Sequence, residues 1–267
     1  MSASIVSPDG HVDGQDIGHN LGGNGVDTGG LFAHAPHGKA GRVPKVNSAA
    51  NGAPAPNRGS WTYAEDFHHE NEAAAAARTA ATELGGVVPV SKGVAGVLTL
   101  LARLIGARAV VEIGSGTGGV SGLALFEGGM DPAGVLTSVD SEHDHQAVAR
   151  QIFTSLKIPN RRFRLISGTA LEVLPKLSSG AYDLVLADGD PLEAVEYVDQ
   201  ALRLLRPPGG VLVLHDALWH NKIADSDNQE DETIVLREAI DAVRTSTELW
   251  STLLPVGGDG MLVAVRA

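Results

Sequence analysis

The stretch AVVEIGSGTGG, residues 109–119, decides the fold. It begins with a short apolar run that ends in glycine, which is typical of a buried parallel strand. Gly114, Gly116 and Gly119 then satisfy G-x-G-x-x-G, a spacing that lets the backbone turn tightly and approach a ligand at the start of a helix. We therefore predict a strand, a glycine loop that binds a ligand, and a helix.

The alternation of strand and helix continues on both sides of this unit. We predict strands at 136–140, 163–167, 182–187 and 210–214, and helices at 66–84, 94–105, 119–130, 141–157, 170–178 and 192–206. Short connections between alternating elements favour a doubly wound, Rossmann-like parallel sheet of the α/β class. After a helix near 231–246, the runs 249–254 and 261–265 are joined only by PVGGDG. This linker is too short for a crossover helix, so an antiparallel hairpin is expected.

The first 60 residues differ from the rest in composition. They hold 12 of the 33 glycines and 5 of the 13 prolines, and their charges cancel, so the net charge of −12 belongs to residues 61–267. A stretch so poor in apolar periodicity cannot bury enough surface to offset its chain entropy. We predict a disordered tail over 1–60 and a folded domain over 61–267.

Composition also excludes several classes. The 267 residues include no cysteine, which rules out disulfides, thiolate metal sites and a cysteine nucleophile. An acidic body without a basic stripe argues against a nucleic-acid partner. No apolar run is long enough to suggest a membrane span or a secretory leader. A cytoplasmic protein without a membrane partner is expected.

Two ligands are compatible with the glycine loop. Asp140 ends the next strand, where it would bind the ribose hydroxyls of a dinucleotide such as NAD(P). Glu112, two residues before Gly114, would repel a pyrophosphate and favour a cationic ligand. S-adenosylmethionine has a sulfonium, an ammonium and a ribose diol, and it lacks phosphate. From these residues alone both ligands remain open.

A series of motifs resembles one family. VVPVSKGVAGVLTLLARLIGARAVVEIGSGTGG, LTSVD, SGTALEVLPKL, YDLVLADGD and GGVLVLHDALW occur in the order found in class I O-methyltransferases related to the catechol and caffeoyl-CoA enzymes. The resemblance covers roughly residues 60–267. It implies a seven-stranded sheet with an antiparallel last strand, and S-adenosylmethionine as the methyl donor. It also implies a homodimer, the common assembly of the family.

The resemblance assigns roles to individual residues. The implied cofactor contacts are Val88, Glu112, Gly114, Ser115, Gly116, Ser121, Asp140, Ala170 and Asp188. Among them, Glu112, Gly114 and Ser115 match the motif for the amino-acid part of the cofactor, and Asp140 matches the acid for the ribose. Ser121 resembles a serine that binds the methionine carboxylate, although GTGGVS has one residue more than the family motif. Ala170 matches an adenine contact.

The metal end departs from the family pattern. Asp188 matches the first metal acid. The Asp-Asn pair that follows in the family can be aligned with this sequence in two ways. Either His215 stands at the acid and Asp216 at the amide, or Asp216 stands at the acid and the amide is missing. Asp188, Asp216 and His215 are thus the candidate ligands for Mg²⁺ or Mn²⁺. The lysine that often follows the metal acid is absent, so proton removal would fall to His215, to His220 or to the metal alone.

The sequence therefore predicts an S-adenosylmethionine-dependent O-methyltransferase for a small phenolic, catechol-like acceptor, with Asp188 and His215 as catalytic residues. Two alternatives remain open at this point. One is an NAD(P)-dependent oxidoreductase, which the literal G-x-G-x-x-G favours. The other is a cofactor-binding protein of the same fold without catalysis, which the missing lysine and the altered Asp-Asn pair favour.

Overall fold

A computed structural model describes residues 58–83, 88–115 and 119–267. Most of the predicted tail and Gly116 lie outside the described residues. The helices are α1 Arg58–Glu65, α2 Glu72–Glu83, α3 Lys92–Leu104, α4 Val120–Ala124, α5 His143–Ser155, α6 Ala170–Val173, α7 Ala194–Leu204 and α8 Asp231–Thr245. The strands are β1 Ala109–Ile113, β2 Val135–Asp140, β3 Phe163–Ser167, β4 Leu184–Ala187, β5 Val211–His215, β6 Leu249–Leu254 and β7 Met261–Arg266.

The seven strands form one sheet in the order β3-β2-β1-β4-β5-β7-β6. The first five strands in the chain pair in parallel, whereas β7 pairs antiparallel with both β5 and β6. The predicted doubly wound α/β sheet and its C-terminal hairpin are confirmed. Because β2 and β4 flank β1, the carboxyl ends of the three central strands open onto one edge, where α/β sheets bind their ligands.

The strands are apolar because helices cover both faces of the sheet. All four residues of β4 are buried, and so are four of the five residues of β1. On one face α3 buries Val94, Leu98 and Ala102, the i, i+4 stripe of an amphipathic helix. Ser91 caps this helix through the backbone N–H of Val94 at 3.1 Å. Val94, Leu98 and Ala102 belong to the same hydrophobic cluster as Val110 of β1.

The N-terminal helices differ in detail from the prediction. A single helix was expected from Asp66, but α1 ends at Glu65 and α2 begins only at Glu72. Asn71 is the residue that caps α2, since its side-chain oxygen accepts the backbone N–H of Ala74 at 2.9 Å. The N-terminal helix α1 also begins at Arg58, three residues before the predicted domain boundary.

One carboxylate fastens α1 to the body. Glu65 accepts the hydroxyl of Ser91 at 2.6 Å, the backbone N–H of Gly93 at 3.2 Å and the backbone N–H of Gly257 at 2.7 Å. It thereby joins the end of α1, the start of α3 and the β6–β7 loop. Among the described helices, none is both long and apolar enough to cross a bilayer.

Candidate active site

The site lies where the carboxyl ends of β1 and β4 meet. Gly114 follows β1 with φ +80°, and a Cβ at this position would lie 2.0 Å from the backbone oxygen of Asp188. The backbone N–H of Asp188 donates to Ile113 at 2.9 Å, and the N–H of Gly114 donates to Val139 at 2.8 Å. Only glycine fits this junction. The predicted glycine-loop residue thus allows Asp188 to stand directly beside the end of β1.

Glu112 lies beneath this junction and has no exposed surface. The hydroxyl of Ser121 donates to one carboxylate oxygen, and the hydroxyl of Ser138 donates to the other at 2.6 Å. Burial raises the pKa of Glu112 to about 7, and the charges of Asp188 and Asp140 add to this rise while the two serine hydroxyls oppose it. The predicted residues Glu112 and Ser121 are therefore in direct contact with each other.

Asp140 ends β2 and is 7% exposed. One of its oxygens accepts the hydroxyl of Ser115 at 2.9 Å, and the other accepts the backbone N–H of Glu142 at 2.8 Å. Nδ1 of His145 also lies 3.4 Å from the oxygen that accepts from Ser115. The other oxygen accepts only the N–H of Glu142 among the described residues and can accept a further donor, such as a ribose hydroxyl. The structure thus brings together Ser115 and Asp140, two of the predicted cofactor residues. The hydroxyl of Ser115 contacts the predicted ribose acid, although the resemblance assigns Ser115 to the amino-acid part of the cofactor.

Gln146 on α5 is a polar residue of the site that the sequence analysis missed. It is 4% exposed, and its side-chain N–H₂ lies 3.3 Å from the hydroxyl of Ser115 and 3.4 Å from the backbone oxygen of Ser138. Its side-chain oxygen is buried and has no hydrogen-bond partner within the described part of the chain. Its helical position, six residues after Asp140, was the only signal in the sequence.

The three predicted metal ligands converge. Nδ1 of His215 lies 2.7 Å from Oδ1 of Asp188 and 3.3 Å from Oδ1 of Asp216. One ligand atom from each residue falls within 4.8 Å of the others. Asp216 reaches this position because its backbone turns into the left-handed region, φ +52°, directly after β5. Strain of this kind concentrates at functional sites.

In this cluster the imidazole of His215 lies between the carboxylates of Asp188 and Asp216. Burial lowers the pKa of His215, but the charge and hydrogen bond of Asp188, together with the charges of Asp216 and Asp259, outweigh it and raise the pKa to about 9. Burial raises the pKa of Asp216, which the positive charge of His215 partly offsets. Two carboxylates and an imidazole form a donor set suited to a divalent metal ion.

A second loop borders the cluster. Trp219, His220 and Asn221 all have positive φ values, and Asp259 in the β6–β7 loop contacts His220. Its carboxylate accepts the backbone N–H of His220 at 2.8 Å and lies 3.0 Å from the ring nitrogen Nδ1 of the same residue. His220, a candidate base, is therefore held by a neighbouring acid at the rim of the site. Asp259 was not among the residues predicted from the sequence.

Two further predicted cofactor residues, Val88 and Ala170, take no part in the side-chain hydrogen bonds described above. Val88 is 86% exposed. Ala170 is buried at the start of α6, directly after the turn in which Gly168 donates its backbone N–H to the carbonyl of Asp140 at 2.9 Å. The turn that precedes Ala170 is thus attached to the backbone of Asp140.

Comparison with known proteins identifies the family. The family model described as O-methyltransferase matches residues 67–267. The chain belongs to the O-methyltransferase family. This O-methyltransferase is 44% identical over 217 residues to a protein of Mycobacterium tuberculosis strain H37Rv named as an O-methyltransferase, with 80% of this chain and 95% of the relative covered. A similarly named protein of Mycolicibacterium smegmatis is 43% identical over 205 residues, with 77% and 95% covered.

Solved structures agree with the fold of this O-methyltransferase. A Corynebacterium glutamicum protein superposes with a TM-score of 0.71 at 31% identity, covering 77% of this chain and 94% of its own. The O-methyltransferase TomG of Streptomyces achromogenes, solved with S-adenosylmethionine, has a TM-score of 0.69 at 24% identity, covering 80% and 100%. The prediction of a class I S-adenosylmethionine-dependent O-methyltransferase is confirmed at the level of family and fold. The oxidoreductase and non-catalytic alternatives are not supported.

Proposed function

We propose that this O-methyltransferase methylates a hydroxyl of a small, catechol-like phenol, and that Asp188, His215 and Asp216 hold a divalent cation, Mg²⁺ or Mn²⁺, at the acceptor. The observation that supports this proposal is the convergence of the three side chains within 4.8 Å at the end of β4 and β5. Two vicinal oxygens of a catechol suit the remaining positions of an oxygen-rich octahedral site.

We place the methyl donor next to this cluster, at the carboxyl ends of β1 and β2. S-adenosylmethionine supplies a methyl group on a positively charged sulfur, and an acidic lining favours that charge. Glu112 and Asp188 provide negative charge for the ammonium and sulfonium groups, whereas Asp140 provides acceptors for the ribose diol. We assign the amino-acid end of the cofactor to Glu112 and Asp188, and the nucleoside end to Asp140 and Ala170.

The chain's own residues determine how the acceptor loses its proton. A bound divalent cation would lower the pKa of the phenolic hydroxyl and orient its oxygen toward the methyl group. His215, with a pKa of about 9, carries a proton at neutral pH when it faces the two acids alone. Binding of a cation at this cluster requires His215 to give up that proton, so that affinity for the cation rises with pH.

A second assignment uses the same pair without a metal. Asp188 orients His215 through the 2.7 Å contact at Nδ1, an arrangement typical of a general base. This base is ineffective while it is protonated, so turnover would increase with pH toward about 9 and would be indifferent to chelators. The donor set, with two acids around one imidazole, favours the metal assignment.

Turnover on a panel of catechols decides between the two. Enzyme treated with EDTA should lose turnover, and Mg²⁺ or Mn²⁺ should restore it. Phenols with a single hydroxyl should be poor acceptors because they lack the second oxygen for the cation. Full turnover in EDTA, together with unchanged turnover of Asp188→Ala, would show that the metal assignment is wrong.

A further inference from the structure

Ser138 is a buried serine in the middle of β2 that has no assigned role. Its Cα pairs in register with that of Glu112 on β1, and neither residue has exposed surface. Its hydroxyl donates to Oε2 of Glu112 at 2.6 Å. Hydrogen bonds to a carboxylate at this length are among the strong ones in proteins.

The two serines that donate to Glu112 lie in different structural elements. Ser121 lies in α4, directly after the glycine loop, and the family resemblance implies a contact between it and the cofactor itself. Ser138 lies in a strand that is paired on both sides, with β1 and with β3. Its hydroxyl is therefore a fixed donor that is independent of the loop. Because Asp140 and Asp188 also face Glu112 with like charge, the carboxylate needs such a donor to keep its place.

We propose that Ser138 is a positioning residue that sets Glu112 for the amino-acid end of S-adenosylmethionine. This inference rests on the proposed function, in which Glu112 serves that end of the cofactor. Ser138 does not touch the cofactor in this account, and it acts only through the Glu112 carboxylate.

Ser115 offers a matched comparison at the other end of the cofactor. It donates to Asp140 at 2.9 Å, just as Ser138 donates to Glu112 at 2.6 Å. Asp140 thus accepts the hydroxyl of one serine, Ser115, whereas Glu112 accepts those of two, Ser121 and Ser138. Gln146 lies between Ser115 and Ser138, with its side-chain nitrogen facing both. Loss of either hydroxyl should therefore affect a different part of the ligand.

Binding of two ligands distinguishes an effect on the amino-acid end of the cofactor from an effect on its nucleoside end. S-adenosylhomocysteine carries the amino acid, whereas 5′-methylthioadenosine has the same nucleoside and thioether without it. Titration calorimetry of Ser138→Ala should show S-adenosylhomocysteine bound about 10-fold more weakly, the size of one lost hydrogen bond. The affinity for 5′-methylthioadenosine should stay unchanged. Ser115→Ala should weaken both ligands by the same factor.

The controls distinguish positioning from a general effect on the sheet. Thr137→Val alters the neighbouring buried position of β2 and should change neither affinity. Ser138→Thr keeps the hydroxyl and should preserve the ratio of the two affinities, which also keeps the test available if Ser138→Ala does not fold. Equal weakening of both ligands in Ser138→Ala, no weakening of S-adenosylhomocysteine, or a changed ratio in Ser138→Thr would overturn the inference.

Glu112→Gln separates this inference from the proposed function. It should weaken S-adenosylhomocysteine selectively, and Ser138→Ala should then add no further loss in the double variant. If Glu112→Gln leaves S-adenosylhomocysteine binding intact, the assignment of Glu112 to the cofactor fails. If Glu112→Gln is selective but Ser138→Ala is not, only the role of Ser138 fails.

Discussion

The two ends of the site handle buried acids in opposite ways. At the cofactor end, Glu112 and Asp140 are nearly inaccessible and accept hydrogen bonds mainly from serine hydroxyls on neighbouring elements, and Nδ1 of His145 lies 3.4 Å from Asp140. At the acceptor end, Asp188 and Asp216 are more exposed and share one imidazole, His215, whose pKa they raise to about 9. In the first arrangement, both oxygens of Glu112 accept serine hydroxyls from within the protein. In the second arrangement, two carboxylates flank one imidazole, and the proposed function places a divalent cation there.

The largest effect is expected at Asp188, which belongs to both ends. Asp188→Asn keeps the shape but removes the charge, so turnover should fall by about 10²–10³-fold, as is typical when an electrostatic contact to the reacting groups is lost. Steady-state kinetics with a catechol acceptor measure this loss. Asp190→Asn, two residues further along the same loop, is the matched control. A loss of less than about fivefold would remove Asp188 from the chemistry.

Glu112 should show the next largest effect, in stability. Its pKa is raised from 4.5 to about 7 in the folded protein, so the folded state favours the protonated form. The associated stability is fully present below pH 4.5 and is lost as the pH rises to about 7, a change of up to roughly 3 kcal/mol. Glu112→Gln lacks this titration.

Denaturant unfolding of the cofactor-free protein tests this linkage. The free energy of unfolding of Glu112→Gln should therefore increase relative to that of the unmodified protein as the pH rises from 5 to 8. A difference between the two proteins that stays constant over this range would contradict the raised pKa of Glu112.

Asp140 should contribute to cofactor affinity alone. Asp140→Ala leaves the ribose hydroxyls poorly paired, which should weaken S-adenosylhomocysteine by about 1–3 kcal/mol. Titration calorimetry measures the change, and binding of Mn²⁺ in the same variant should be unaltered. Unchanged affinity for the cofactor would mean that Asp140 does not hold the ribose.

The smallest effect is expected at the rim of the acceptor end. Asp259→Asn keeps one acceptor for the backbone N–H of His220 but weakens the contact with its ring. The KM for the acceptor should rise by about 2- to 10-fold, the size of one hydrogen bond, while cofactor affinity stays the same. A parallel loss of cofactor affinity would show that the loop supports both ends.

Much of this molecule could be predicted from local sequence. The glycine loop, the alternation of strands and helices and the six-residue linker before β7 were sufficient for the sheet and its antiparallel hairpin. The start of α2 was missed because Asp66 and Asn71 are both good capping residues, and only the contact with Ala74 distinguishes them.

Residues of the candidate site could be predicted from the sequence where they lie within one motif. His215 and Asp216 could not be ranked as metal ligands from the sequence, and the structure shows why both reach Asp188. His215 ends β5, and the left-handed turn at Asp216 returns its carboxylate to the same place. Ser138 and Gln146 were missed because they act across elements. The bond from Ser138 to Glu112 spans 26 residues and depends on strand register.

The central claim is that the acceptor end holds a divalent cation, and Mn²⁺ binding tests it most directly. Electron paramagnetic resonance on the EDTA-treated, dialysed enzyme should detect one bound Mn²⁺ per chain. This binding should strengthen from pH 6 to pH 8 and disappear in the variant with both Asp188→Asn and Asp216→Asn. Absence of Mn²⁺ binding to the native chain, or equal binding by the double variant, would contradict the account.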